Sequence, residues 1–189
     1  YSSAAQMCIR DSYYALDNTK GRIFAYDFQG NMLYAFGGHG YKAGLFMNPS
    51  AIEDLGDSLL VTDQKLGTIT QFTLTDYGKM INDGLAEYKK GNYDESANIW
   101  RKVLKHNGNY DQAYIGIGRA LLREKNYKEA MDYFELKLDA KNYSKAFKLY
   151  REVWFEENIG TILIIIAILI LLGFGVGFVK KARREVEKG

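Results

Sequence analysis

Hydrophobic and polar positions along the chain follow three rhythms in turn. From Tyr13 to about Thr75 the period is two, with short apolar runs broken by glycine-containing turns, the pattern of consecutive antiparallel strands. Strands are expected at Tyr13–Asp17, Arg22–Tyr26, Met32–Phe36, Ser50–Glu53, Leu59–Asp63 and Thr68–Phe72. Turns are expected at Asn18–Gly21, Gln29–Asn31, Gly56–Asp57 and Gln64–Gly67. At Thr75 the period lengthens to about 3.6, the signature of amphipathic helices. From Ile159 to Val179 the sequence IGTILIIIAILILLGFGVGFV carries no charge, and about 20 such residues suffice to cross a bilayer as a helix.

Both folded stretches repeat internally. In the β-patterned region Asp17 aligns with Asp63, Gly21 with Gly67, Ile23 with Ile69 and Tyr26 with Phe72, an offset of about 46 residues. Such spacing is typical of four-stranded propeller blades. The stretch YALDNTKGRIFAYDFQGNMLYAFGG, followed by Gly44, Phe46 and Pro49 in a G-x-F-x-x-P pattern, resembles the NHL family of β-propellers. That resemblance implies about one and a half blades, with open strand edges and a half-covered core. Asp17 and Asp63 recur once per unit, which marks them as turn caps. The loop GGHGYKAG (37–44) has the glycine content of a phosphate cradle but lacks its Gly-Lys-Ser/Thr ending and opens a strand, so a connecting loop is expected. His39 in this loop and His106 in the next region are the only histidines, and they form no visible metal-binding set.

In the helical region the pairs Gly84/Gly118, Asn92/Asn126, Tyr93/Tyr127, Glu95/Glu129, Ser96/Ala130 and Trp100/Phe134 share an offset of about 34 residues, the length of a tetratricopeptide repeat. Residues Thr75 to Asn142 resemble that family. Gly84 and Gly118 are expected to let paired helices approach, with Tyr93 and Trp100 filling the space. Asn92 and Asn126 are expected N-caps with Glu95 and Glu129 completing capping boxes, and Thr75 and Asn109 are the equivalent caps of the preceding helices. Asp83, Glu87 and Gly108 depart from the family pattern, the last standing where a proline is usual. The resemblance implies a partner-binding groove on the first helices of the repeats, carrying Ile81, Leu85, Tyr88, Gln112, Ile115, Arg119, Leu122 and Arg123. Ile81, Leu85 and Gly116 occupy points where carboxylate-clamping repeats use lysine or asparagine, which disfavours that binding mode. A rigid spacer is the alternative to a groove. A third amphipathic helix follows, with Tyr143, Ala146, Phe147, Tyr150, Val153 and Trp154 on one stripe.

Charge then sets orientation. Trp154 and Phe155 precede the apolar stretch as headgroup-level anchors, and Lys180, Lys181, Arg183 and Arg184 follow it. The positive-inside rule places that basic end in the cytoplasm and the earlier modules outside it. Gly173 and Gly177 form a G-x-x-x-G pair, weak by itself as a helix-packing signal. The formal charge of +2 gives no reason to expect a nucleic-acid partner. Aromatic content of 14% with 15 tyrosines suits packing as well as recognition. The opening segment YSSAAQMCIRDS (1–12) resembles the translation of a transposase sequencing adapter; it is set apart from fold reasoning together with Cys8, the only cysteine. No element is expected there, and the chain is read as starting within a gene.

The expected architecture is therefore multi-domain β + α: adapter-like residues 1–12, NHL-like blades at 13–76, two tetratricopeptide repeats at 77–142, a capping helix at 143–158, a transmembrane helix at 159–179 and a basic tail at 180–189. The stretch AYIGIGRALLREKNYKEAMDYFELKLDAKNYSKAFKLYR is similar to the extracytoplasmic part of bacterial Yip-domain membrane proteins, which implies a link to carbohydrate-transporter components. The expected function is a non-enzymatic, membrane-anchored envelope scaffold or recognition protein, with protein partners, no cofactor and no metal. The rival is a propeller enzyme, a metal-dependent lactone hydrolase or lyase, whose ligands would lie in further blades.

Overall fold

A computed structural model of the chain describes residues 5–9, 12–56 and 58–186, with side chains described over 12–56 and 58–177. Seven strands come first: β1 (Ala5–Ile9), β2 (Ser12–Asp17), β3 (Arg22–Asp27), β4 (Met32–Gly37), β5 (Pro49–Leu55), β6 (Ser58–Asp63) and β7 (Thr68–Thr73). Five helices follow: α1 (Asp76–Lys90), α2 (Tyr93–His106), α3 (Asp111–Arg123), α4 (Tyr127–Leu136) and α5 (Ala140–Val186). The strands form two antiparallel sheets in sequential order, β1-β2-β3-β4 and β5-β6-β7. All six expected strands are present within one or two residues of their expected ends. The added element is β1: Ala5–Ile9 pairs with β2 although no element was expected there. An open strand edge offers unpaired backbone groups to any extended segment.

Alternation decides which faces meet. Leu16 pairs with Ile23 and Tyr14 with Ala25 across β2 and β3, and all four are buried. Ile52 pairs with Val61 in the second sheet, again both buried. These inner faces meet at an aromatic contact, with the Phe36 and Phe72 rings 4.9 Å apart. Phe46 lies 5.9 Å from Phe72 and is fully buried. Its segment reaches the core because the preceding loop closes on itself: the Phe46 N–H donates to the Gly38 carbonyl and the Gly40 N–H to the Phe46 carbonyl. The loop 37–44 is thus a connector, and His39 sits exposed on it. Gly21 shows why the turn residues matter. It has φ +62°, and a Cβ there would meet the Gly38 oxygen at 2.6 Å, so a side chain is excluded by conformation and by space.

In the helices the repeat is visible as a repeated contact. A Cβ on Gly84 would meet Trp100 at 2.9 Å, and one on Gly118 would meet Phe134 at 2.7 Å. The aromatic of each second helix lies directly on the glycine of its first helix. Gly116 also lies beneath Trp100, where a Cβ would meet the indole nitrogen at 2.5 Å, so one indole joins α1, α2 and α3. Ser96, buried in the same seam, donates to the Gly84 carbonyl at 2.7 Å.

The caps differ from expectation in part. Thr75 accepts from the Gly78 N–H at 3.2 Å and caps α1 as expected. Asn92 and Asn126 sit at N-cap positions without side-chain caps. Their Nδ2 groups donate to Glu87 and Glu129, and their ψ of 67° and 66°, against 164° at Thr75, departs from the extended conformation that aims an N-cap oxygen at the helix N–H groups. Tyr110 rather than Asn109 precedes α3, since Asn109 is drawn into a turn by the Asn107 side chain. The capping segment and the apolar stretch after it form one element: α5 runs unbroken through both. No proline interrupts the Glu157–Gly160 junction, and a lone glycine costs a helix only about 1 kcal/mol. Only the first part of α5 is packed. Ala146 is fully buried, and Tyr143 and Leu149 rest against the core, whereas Phe147, Val153 and Trp154 of the expected stripe are exposed.

Candidate functional site

The expected groove lies on α1 and α3, and its residues have unequal fates. Ile81 is fully buried and Leu122 nearly so; they are interior packing and offer no surface. Leu85, Tyr88 and Ile115 are half-buried against the same core, and Gln112 is half-buried. Arg123 is exposed and its Nε donates to the Tyr88 hydroxyl at 3.2 Å. Arg119 points to the sheets: it lies 3.4 Å from the Asp27 carboxylate, and their side chains are 15% and 7% exposed.

The reason for this pattern is that the turn after β3 occupies the groove. Leu85, Tyr88, Gln112 and Arg119 enclose a void of only about 20 Å³ together with Asp27 and Leu33, room for little more than one water. Tyr110 donates its hydroxyl to the Leu33 carbonyl at 2.8 Å, and burial, with Tyr77 and Asp27 nearby, pushes the hydroxyl's pKa upward. Lys89 places its ammonium 5.2 Å from the Phe28 ring centre. The first sheet is therefore the occupant of the helical concave face.

Asp27 holds this arrangement from both sides. Its Oδ1 accepts from the Gln29 and Asn31 N–H groups at 2.9 and 2.8 Å, and its Oδ2 from the Asn31 amide at 2.7 Å. The turn is thereby held by its own bonds as well as by Arg119. Sequence reasoning did not single Asp27 out. A signal existed: one repeat offset later stands Thr73, so an acidic residue at this position is private to the first unit. Asp17 and Asp63, by contrast, do recur in role. Each Oδ1 accepts two N–H groups of the turn that follows, Thr19 and Lys20 in one case and Lys65 and Leu66 in the other.

Beside the filled groove lies an open cleft of about 410 Å³, where the inner faces of both sheets meet α1. Tyr14 and Tyr34 share a hydrogen bond of 2.8 Å, and Tyr34 extends it to Asn82 at 3.4 Å. Burial first, and the Tyr14 hydroxyl second, push the Tyr34 pKa up, so this hydroxyl stays protonated. Asp83, a departure from the repeat pattern, lines this cleft. Glu87, another departure, instead bonds Lys90 and Asn92 at 2.6 Å each and ties the α1–α2 turn.

Residues 82–145 match the tetratricopeptide repeat family model. The match covers about a third of the chain. It takes in most of α1, all of α2 to α4 and the packed start of α5. Repeats of this kind are protein–protein interaction scaffolds. No curated protein matches the chain. One described helix, α5, is long and apolar enough to cross a membrane, and none of its apolar window is buried against the rest of the protein. Trp154 and Phe155 are exposed just before that stretch. Lys180, Lys181, Arg183 and Arg184 continue the helix, and their side chains lie outside the described residues. Among the described residues no group of three or more His, Cys, Asp or Glu could hold a metal ion.

Proposed function

We propose that this protein is a membrane-anchored scaffold of the bacterial envelope, displaying a β-module on tetratricopeptide repeats outside the cytoplasm to recognise a partner. The observation that carries the reading is α5. Its first turns are the last packed element of the repeats, and the same helix continues into an uncharged stretch with no cover. A helix apolar on all sides requires either a protein interior or lipid. The unbroken helix makes the anchor a rigid extension of the repeats rather than a tether. Basic residues after the span support a cytoplasmic C-terminus.

The filled groove changes what the scaffold presents. With β3 and β4 seated on Leu85, Gln112 and Arg119, the surface left for a partner is the outer end near Tyr88, Ile115 and Arg123. The two sheets are read as consecutive NHL-type blades, supported by the matching turns at Asp17 and Asp63. Carbohydrate-transporter components are the partner class to seek first. The test is expression of the chain in a bacterial inner membrane, followed by alkaline carbonate extraction and protease added to spheroplasts. Retention in the membrane with cleavage between residues 78 and 157 is expected. Release by carbonate overturns the anchor, and full protection overturns the orientation. Co-purification with a solute-uptake transporter would extend the reading.

A further inference from the structure

The cleft between the sheets and α1 has a one-sided chemistry. Its volume of about 410 Å³ falls within the roughly 300–1,000 Å³ usual for small-molecule sites. Aromatic rings come from four elements: Tyr14 from β2, Tyr34 and Phe36 from β4, Phe72 from β7 and Tyr77 from α1. Asp54 and Asp83 supply carboxylates from opposite sides, the second sheet and the helix. No lysine, arginine or histidine is among the described lining residues, and neither carboxylate enters an ion pair among the described residues. The Tyr77 hydroxyl is buried without a hydrogen-bond partner among the described residues.

We propose that this cleft binds a small soluble organic cation, an ammonium carried on an apolar body. An anion would meet two carboxylates with no counter-charge. A cation gains from both features at once: ring faces attract it through their quadrupoles, and the carboxylates complement its charge at the mouth. The apolar body is served by the Phe36–Phe72 contact, whose rings are 4.9 Å apart. The Tyr14–Tyr34–Asn82 hydrogen-bond chain holds the wall in place. This site adjoins the filled groove at Leu85, which lines both, and does not depend on the membrane reading.

The test uses the whole chain in maltoside micelles, which carry no ammonium headgroup, and saturation-transfer NMR titration. The probes are choline, benzyltrimethylammonium and 3,3-dimethylbutan-1-ol, the uncharged isostere of choline. Both cations are expected to saturate, with benzyltrimethylammonium tighter and the isostere at least about fivefold weaker than choline. Replacing both carboxylates (Asp54→Asn with Asp83→Asn) should weaken cation binding about fivefold or more. These side chains are exposed, so the circular dichroism spectrum and melting temperature should be unchanged. Phe72→Leu should weaken it roughly threefold while leaving the isostere's binding nearly constant. Equal binding of choline and its isostere would overturn the proposal, as would undiminished cation binding in the double carboxylate variant. Absence of saturation by either cation would overturn it equally.

Discussion

The β-half and the helical half are each built from two copies of a unit, yet the copies are joined differently. In the helices the repeated residues make the joint: glycine under aromatic recurs at Gly84–Trp100 and Gly118–Phe134, and Trp100 reaches on to Gly116. In the sheets the repeated residues, Asp17 and Asp63, shape their own turns, and the two sheets meet through the Phe36, Phe46 and Phe72 rings. Asp63 alone adds a second pair of bonds, from the Met47 and Asn48 N–H groups at 2.6 and 3.0 Å. Asp27 makes the ion pair to the helices, beside the contacts of Phe28, Leu33 and Tyr34. Repetition writes the interior of a unit, and departures from it write the contacts between unlike parts.

The largest effect should come from the aromatic knobs. Trp100→Ala and Phe134→Ala should each cost about 3–5 kcal/mol, read by urea denaturation of the full chain followed through helical circular dichroism. A much smaller loss at Phe134 than at Trp100 would break the equivalence of the two repeats. Gly116→Ala should cost about 1–3 kcal/mol by overpacking, and Trp100→Phe in the same chain should recover part of it. No recovery would mean that the indole is not what limits the space.

Asp63 sharpens the comparison between the sheets. Burial opposes its charge, but N–H groups of Asn48, Leu66, Met47 and Lys65 hold its pKa below the ordinary value. A carboxylate with a depressed folded pKa stabilises the fold above its unfolded pKa of about 4, and that contribution disappears as pH falls through the folded value. Asp63→Ala should therefore cost about 1–3 kcal/mol at neutral pH, and the part due to the charge should fade as pH falls through the folded value. Asp17→Ala, which removes only the turn bonds, should cost about 1 kcal/mol. Equal losses for the two would mean that the bonds to Met47 and Asn48 contribute nothing.

The smallest effect is expected for the bridge between the halves. A double-mutant cycle of Asp27→Asn and Arg119→Met should return a coupling of about 1 kcal/mol. A coupling of zero would assign the docking of sheet on helix to Tyr110 and apolar contact. Hydrogen exchange at Asn31 and Leu33 should rise in either single variant, since local opening follows the loss of local contacts.

Much of this molecule was legible beforehand because its signals are local. Period-two alternation located six strands, and the 34-residue offset located the helical repeats, since side-chain direction in each element is set by its own backbone. The turn-capping role of Asp17 and Asp63 followed from their recurrence. The fate of the groove was not legible. Ile81, Leu122 and Arg119 carry helix periodicity like their neighbours, and nothing local distinguishes a residue covered by its own repeat from one covered by a sheet. Asp27 and Asp83 were the available hints, both being polar departures from a repeat, but a departure gives no direction. The capping boxes failed for a related reason: Asn92 and Asn126 have the right spacing, but the backbone angle that would aim their oxygens at the helix is set by the turn before each.

By itself, then, the order of residues determined β2 to β7, α1 to α4, the glycine–aromatic joints within repeats and the uncharged span, because each depends on neighbours within about one repeat length. Tertiary structure alone decided that the β3–β4 turn would fill the helical groove, that a cleft would open between the sheets and α1, and that α5 would stay continuous. These outcomes depend on residues far apart in the chain, such as Asp27 with Arg119 and Leu33 with Tyr110, meeting at distances set by the packing of whole elements.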